Sequence, residues 1–145
     1  TISEFTREMA TGKELLVYDA DTWRPYCHVR DFARLIQKVL ESPKQLVANQ
    51  VFNAGGEVNN YTKKMIVDEI LNFLPDAKVK FQKQGNDPRN YRVNFNKVHK
   101  TLDFEPAYTV KDGVEELLES INNHVFDHVE EQRNFYGNYE ISYST

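Results

Sequence analysis

The sequence is poor in several features that would point to particular classes of protein. It contains one cysteine, Cys27, so an internal disulfide is excluded and we expect a reducing, cytoplasmic environment. No apolar run reaches the roughly 18 residues of a membrane-spanning helix, and the N-terminus lacks the charged-then-apolar pattern of a signal peptide. The net charge is −4 and no basic tract stands out, which does not favour nucleic-acid binding.

What the sequence does contain is the composition of one globular domain. Its 145 residues are 40% hydrophobic and 28% charged, a balance that allows a single core and argues against a disordered chain. It begins at Thr1, and its first residues, TISEFTREMATGK, read as a helix entered part-way. We therefore expect a fragment or an excised domain of a longer protein.

Apolar residues recur at helical spacing in five stretches of the chain. Gly12 is a stop signal after the first stretch, and Thr109 with Asp112 forms a capping-box pattern before the last. Asp31 falls in the first turn of the second stretch, where a negative charge suits the helix dipole. The predicted helices cover residues 1–11, 31–42, 63–74, 95–102 and 110–125, with Thr62 and Asn94 as further caps and with Phe32, Leu35, Ile36, Val39 and Leu40 at helical spacing in the second.

Shorter stretches between these helices are extended or strand-like. Pro25 argues against a central hydrogen-bonded position for one of them. Gly, Asn, Asp and Pro in close order predict a loop over residues 83–93. Helices that alternate with short strands predict an α/β fold, a small mixed domain of short strands and about five helices. The extended stretches are residues 14–20, 23–29, 49–56 and 77–82, of which residues 49–56 read as a buried strand running into a glycine turn.

Several short motifs follow one another along the chain in a definite order. They are LLVY at 15–18, RPYCHVRDFA at 24–33, FNAG at 52–55, DPR at 87–89, LDFEP at 102–106 after a helix that carries Lys97, and VKDGV at 110–114. This order resembles the C-terminal, substrate-binding part of the extended short-chain dehydrogenase/reductase family, the NAD-dependent nucleotide-sugar epimerases and dehydratases. The resemblance covers about residues 5–118.

The resemblance implies which residues hold a substrate. In this family an arginine at the Arg24 position contacts the diphosphate of a nucleoside-diphosphate sugar, and a second one, here Arg89, approaches the same phosphates or the ribose. Arginine suits this role because its guanidinium is always charged and donates several hydrogen bonds in a planar fork. Main-chain groups of Leu16, Val17 and Tyr18 would line the base, and Tyr91 is a further candidate for sugar or base contact.

Some details leave the assignment of these roles open. Pro25 replaces an aspartate that often follows the family's arginine, and Asp103 replaces a turn glycine at a position where a positive φ is expected. Arg92 lies close to Arg89 in the sequence and could take its role. An arginine reserved for a ligand is expected to have no protein partner, whereas the alternative ties Arg24 to an internal carboxylate such as Asp31.

Two features of the family are absent from this sequence. No G-x-G-x-x-G turn for a dinucleotide occurs, and no Tyr-x-x-x-Lys, because Tyr61 and Tyr91 are followed at that spacing by Met65 and Phe95. The resemblance therefore implies that residues 1–126 are the nucleotide-sugar-binding lobe, with a tail at 127–145, of a homodimeric enzyme. A missing N-terminal Rossmann domain would supply NAD or NADP and the catalytic groups, and its removal would expose apolar surface. No catalytic, cofactor-binding or metal-binding residue is predicted in this chain.

Other interpretations stay open beside this one. The chain could be a non-catalytic domain that binds nucleotide sugars, or an α/β interaction module. His124 and His128 lie one helical turn apart, a spacing that can bind zinc, but the sequence shows no third ligand. Cys27 and His28 are adjacent in an extended run and would point to opposite faces, so they are predicted to be an inert small side chain and a satisfied, half-buried histidine.

Overall fold

The computed structural model describes residues 1–83, 89–128 and 131 of the chain. Within them, six helices and four short strands form the small mixed α/β fold that the sequence predicts. The elements in chain order are α1 (Ile2–Ala10), β1 (Leu15–Tyr18), β2 (Trp23–Pro25), α2 (Val29–Glu41), α3 (Lys44–Val47), β3 (Asn60–Thr62), α4 (Lys63–Phe73), β4 (Val79–Gln82), α5 (Asn96–Leu102) and α6 (Val110–Asn122), with a short 3₁₀ turn at Glu57–Asn59 before β3.

The strands form two separate two-stranded sheets. β1 pairs with β4 in parallel, and β2 pairs with β3 in antiparallel orientation. Arg24 in β2 lies opposite Tyr61 in β3. Pro25 is the last residue of β2, where a missing N–H donor disturbs the pairing least.

The larger hydrophobic core lies between α1, α4, α6 and the sheet of β1 and β4. The helical spacing predicted for α1 is confirmed, because Phe5 and Met9 are buried while Glu4 and Glu8 are more exposed. Burial of this apolar surface is the main force that holds the three helices on the strands. The buried members are Phe5, Met9, Leu15, Val17, Ile66, Val67, Ile70, Val110 and Val114.

A second, smaller core joins α2 to α5. Leu35 of α2 packs in it with Phe95, Val98, Leu102 and Phe104. Asp31, at the start of α2, is completely buried and accepts hydrogen bonds from the N–H groups of Ala107 and Tyr108, both at 2.9 Å, and from the Arg34 side chain. Asp31 therefore ties α2 to the turn before α6, which is a larger role than the helix-dipole contact that its sequence position predicts.

The predicted helix caps are largely confirmed. Thr62 Oγ1 accepts from the N–H of Met65 at 3.1 Å, and Thr109 with Asp112 forms a reciprocal capping box. Asp103 ends α5 in the left-handed region at φ +47°, the conformation expected at this turn position. Asn94 accepts from the N–H of Asn96 at 2.9 Å, but α5 begins after Phe95, so the cap lies one residue later than predicted.

One prediction about local structure is wrong, and two further features were not predicted. Residues 49–56 are not a strand in the described fold: Val51 is 81% exposed, and no neighbouring strand is present there to complete a ladder. The apolar residues of α2 do not all enter a core, since Phe32 and Ile36 are 50% exposed and Leu40 is 79% exposed. The short helix α3 was not predicted, because four residues are too few for a periodic signal.

Some predicted features fall wholly or mostly outside the described residues. Asp87 and Pro88 of the DPR motif do so, together with residues 84–86 of the predicted loop. Of the tail at 127–145, the structure describes Asp127, His128 and Glu131.

Candidate functional site

The first component of the candidate site is the outward edge of β1. The N–H groups of Leu15 and Asp19 donate to Lys78 and Gln82 across the sheet, so the main-chain groups of odd-numbered residues face β4. Those of Leu16 and Tyr18 point the other way. Both side chains are 38% exposed. Val17, also predicted to line a base, has its side chain in the core and its main chain turned to β4, so Leu16 and Tyr18 supply the outward groups.

The second component is a cluster around Arg24. Arg24 Nη1 donates to the carbonyl of Trp23 at 2.7 Å and to the carbonyl of Arg89, 65 residues further along the chain. Its guanidinium carbon lies 5.2 Å from the centre of the Tyr91 ring, within range of a cation–π contact. The structure thus brings together Arg24, Arg89 and Tyr91, three residues to which the family resemblance gave contacts with one substrate.

The expectation that Arg24 lacks protein partners is wrong. Two main-chain carbonyls and an aromatic ring fix the direction of its guanidinium. The oxygens of Asp31, the proposed alternative partner, take the main-chain donors Ala107 and Tyr108 and the Arg34 side chain. Arg24 is therefore a positioned cation, an arrangement that reduces the ordering entropy a ligand must overcome.

The segment that carries Arg89 and Tyr91 is anchored on both sides. The N–H of Trp23 donates to Asn90 Oδ1 at 2.9 Å. The Asn60 side chain bonds Val93 twice: its Nδ2 donates to the Val93 carbonyl at 2.9 Å, and its Oδ1 accepts from the Val93 N–H at 3.0 Å. These contacts hold an irregular segment beside β2, and Asn60 was not identified from the sequence because no local pattern marks it.

The position of Arg92 separates it from Arg24. The Arg92 guanidinium carbon lies 4.7 Å from the centre of the Trp23 ring. Because Trp23 and Arg24 are consecutive residues of β2, their side chains point to opposite faces. Within this segment it is therefore the main chain of Arg89, and not Arg92, that contacts the Arg24 side chain.

A cavity of about 440 Å³ lies at the carboxyl ends of β1 and β4, the position at which open parallel sheets bind ligands. Asn90, between Arg89 and Tyr91 in the chain, contributes to its wall. The other lining residues are Asp19, Ala20, Asp21, Thr22, Lys64, Phe81, Gln82 and Lys83.

A further contact at this end of β1 was not foreseen from the sequence. Lys63, the first residue of α4, donates from Nζ to the carbonyl of Tyr18 at 2.7 Å. The neighbouring Lys64 instead pairs with Asp68 one turn along the same helix, at 2.8 Å. The sequence does not show which of these two consecutive lysines contacts β1, because that depends on how α4 is placed relative to the end of the strand.

A second cleft, of about 410 Å³, lies between α6 and the start of α2. His28 caps α2 here: its Nδ1 accepts from the N–H of Arg30 at 3.3 Å, and its Nε2 lies 3.3 Å from a Glu116 oxygen. The His28 ring also stacks on Tyr108 at a 4.5 Å centroid distance. The prediction of a satisfied, half-buried histidine is thus confirmed. Burial raises the pKa of the adjacent Cys27 thiol, which lowers its reactivity.

The two histidines after α6 whose spacing could bind zinc each contact a carboxylate instead. His124 Nδ1 lies 2.9 Å from Asp127, and His128 Nδ1 lies 3.5 Å from Glu131. Among the described residues, no group of three or more His, Cys, Asp or Glu side chains is arranged to hold a metal ion. In the same part of the chain, no helix has both the length and the apolar character needed to cross a membrane.

Comparison with known proteins gives these features a context. Residues 1–55 match the NAD dependent epimerase/dehydratase family. The matched segment contains β1, β2 and α2, and thus Leu16, Tyr18 and Arg24 of the candidate site.

Solved structures of complete enzymes share the fold over most of this chain. A dTDP-glucose 4,6-dehydratase from Bacillus anthracis, in complex with NAD, is 29% identical at a TM-score of 0.71 and covers 86% of this chain and 40% of its own. A UDP-glucose 4-epimerase from Thermotoga maritima, solved with UDP-glucose, is 21% identical at a TM-score of 0.72 with the same coverage of 86% and 40%. An L-threonine dehydrogenase from Cupriavidus necator is 14% identical at a TM-score of 0.70, over 81% of this chain and 44% of its own. This chain therefore spans less than half the length of these enzymes.

Proposed function

We propose that this chain is the nucleotide-sugar-binding lobe of an NAD(P)-dependent epimerase or dehydratase. The observation that carries the proposal is the convergence of Arg24, Arg89 and Tyr91 from positions far apart in the chain. The fold alone does not select this substrate, since a neighbour of similar fold is named as an L-threonine dehydrogenase. Two arginines on one cluster suit a diphosphate, and a strand edge without a neighbouring strand suits a base.

The diphosphate is assigned to the arginine cluster. Two negative charges that leave water need donors that are charged and already directed, and Arg24 is held by main-chain carbonyls and by the Tyr91 ring. Arg89 brings a second guanidinium on the same segment.

The base is assigned to the outward edge of β1. Along this edge the Leu16 carbonyl is an acceptor and the Tyr18 N–H is a donor, the arrangement by which a strand edge accepts one further hydrogen-bonded partner. The exposed faces of the Leu16 and Tyr18 side chains offer apolar contact to a flat ring.

Cofactor binding and hydride transfer are assigned to a preceding Rossmann domain. The sequence lacks a glycine-rich dinucleotide turn and a Tyr-x-x-x-Lys pair, so the residues of this chain do not fit NAD or NADP and we assign no catalytic step to them. In this proposal residues 1–126 form the lobe, the complete enzyme is a cytoplasmic homodimer, and its reaction is oxidation-reduction of a nucleoside-diphosphate sugar.

Calorimetric titration of the chain with UDP, inorganic pyrophosphate and NAD tests the proposal. We expect saturable binding of UDP, weaker binding of pyrophosphate through the arginines alone, and no detectable binding of NAD. Micromolar NAD binding without UDP binding contradicts the assignment. If the chain binds none of the three in folded form, the alternative of an α/β interaction module replaces it.

A further inference from the structure

Lys63 lies beside the strand edge to which we assign the base. Its ammonium is 2.7 Å from the Tyr18 carbonyl, which points away from β4 along the outward edge of β1. The contact joins residues 45 positions apart, and the side chain leaves its own helix to make it. A charge is thus fixed next to the Tyr18 N–H, the donor to which we assign the base.

The order of groups along this edge is an acceptor, a donor and then a positive charge. The acceptor is the Leu16 carbonyl, the donor is the Tyr18 N–H, and the charge is Lys63 Nζ. Uracil, thymine and guanine present a ring N–H beside a carbonyl oxygen, so the N–H can donate to Leu16 and the oxygen can accept at Tyr18. Cytosine and adenine present a ring nitrogen without a proton beside an amino group, which reverses both contacts.

We propose that Lys63 makes this lobe selective for nucleotides whose base carries a carbonyl at the recognised edge over those that carry an amino group. An ammonium attracts a carbonyl oxygen and repels an amino N–H, and the effect is strongest where solvent is partly excluded. Lys63 is half-buried, and its bond to the Tyr18 carbonyl is open to solvent in the free chain, so a base bound there would itself exclude water from this charge. Specificity is a difference between two affinities, and Lys63 acts on both: it improves one and weakens the other.

This inference rests on the proposed function, since it requires that the base lies on the edge of β1. Its test uses UDP and CDP, which differ in this respect and share ribose and diphosphate, together with pyrophosphate, which has no base. The variants are Lys63→Gln, which removes the charge and keeps a donor for the Tyr18 carbonyl, and Lys63→Met, which removes both. Lys38 is also half-buried and donates from Nζ to a main-chain carbonyl, that of Asp103 at 2.8 Å, so Lys38→Met removes the same charge and type of contact outside the candidate site and is the matched control.

Affinities measured by calorimetry decide the matter. We expect the parent chain to bind UDP at least about tenfold more tightly than CDP, and both Lys63 variants to reduce this ratio by about tenfold, mainly through weaker UDP binding. Pyrophosphate affinity should not change in any variant, and Lys38→Met should leave the ratio as in the parent.

The possible failures are distinguishable. An unchanged UDP to CDP ratio in both Lys63 variants overturns the role of Lys63 and leaves the proposed function intact. An equal loss in Lys38→Met also overturns it, because general surface charge then explains the effect. A parent chain that binds neither UDP nor pyrophosphate overturns both proposals. If Lys63→Met does not fold, Lys63→Gln alone decides.

Discussion

Replacement of Arg24 by alanine is the perturbation for which the structure makes the most detailed forecast. The variant loses the charged donor that we assign to the diphosphate. A hydrogen bond to a charged group contributes about 1.5–3 kcal/mol, so the Kd for UDP should rise roughly tenfold to a hundredfold. Arg24→Lys should recover only part of this affinity, because lysine keeps the charge and loses the planar fork.

The same substitution has a predictable effect on stability. Arg24 donates to the carbonyls of Trp23 and Arg89 and contacts the Tyr91 ring, all in partly exposed surroundings. Exposed contacts of this kind contribute little each, so we expect a loss of about 1 kcal/mol and a fall of a few degrees in Tm. The affinity effect should therefore exceed the stability effect, and both are measured on the same variant by calorimetry and thermal unfolding.

Arg92→Ala is the matched control for this experiment. It also removes a guanidinium that lies over an aromatic ring beside β2, but on the face of Trp23 and away from Arg24. Its UDP affinity should stay within about twofold of the parent chain, because the Arg92 guanidinium lies over Trp23, outside the cluster around Arg24, and exposed charges are screened by salt. The reasoning is refuted if Arg24→Ala binds UDP as the folded parent does, or if Arg92→Ala loses as much affinity.

Four further predictions concern stability and association. Asp31→Ala should lower the free energy of unfolding by about 3 kcal/mol in urea titrations, because two main-chain N–H groups lose a buried acceptor; a loss below about 1 kcal/mol contradicts its assigned role. Hydrogen bonds from Thr109 lower the pKa of the Asp112 carboxyl, so its contribution is present above the unfolded-state pKa and is lost as the pH falls through the folded-state value. Asp112→Asn should thus reduce the loss of thermal stability between pH 5 and about 2, and an unaltered pH profile counts against this. Leu40 is 79% exposed on the apolar face of α2, so Leu40→Lys should reduce self-association in sedimentation experiments without a change in Tm. A parent chain that is monomeric at high concentration contradicts this prediction. Thr6 Oγ1 is buried without a hydrogen-bond partner in the described part of the chain, so Thr6→Val should be neutral or stabilising by up to about 1 kcal/mol in the same urea titrations, and a clear loss of stability would reveal a bond to this hydroxyl.

The parts of the fold that the sequence predicted well depend on local chemistry. The capping box requires only Thr109 and Asp112, three positions apart. The left-handed turn requires only a suitable residue at position 103. The buried face of α1 follows from a 3.6-residue period. Such signals are contained within one element, so no knowledge of its neighbours is required.

The features that the sequence did not predict depend on partners distant in the sequence. Residues 49–56 have strand-like composition, but a strand forms only where another strand can pair with it. The apolar face of α2 has helical spacing, yet spacing does not say whether a neighbouring element covers Phe32 and Leu40. In both cases the amino-acid pattern records a preference for burial, and the described residues do not supply the covering surface.

The candidate site could be predicted from the sequence only in part. The proximity of Arg24 and Arg89 could be expected from the family resemblance, but not from the residues alone, because 65 positions separate them. The carbonyl contacts of Arg24, the anchoring of Val93 by Asn60 and the reach of Lys63 to Tyr18 appear only in three dimensions.

The most direct test of the central claim is a titration of the ¹⁵N-labelled chain with UDP, followed by NMR. We predict saturable shifts at the amide of Tyr18 and at the side-chain Nε–H of Arg24, with the same dissociation constant for both. The chemical shifts of amides around His28 and Glu116, in the cleft between α2 and α6, should not change. Shifts confined to that second cleft, or no saturable shift at Tyr18 and Arg24, would contradict the assignment of the nucleotide to the edge of β1.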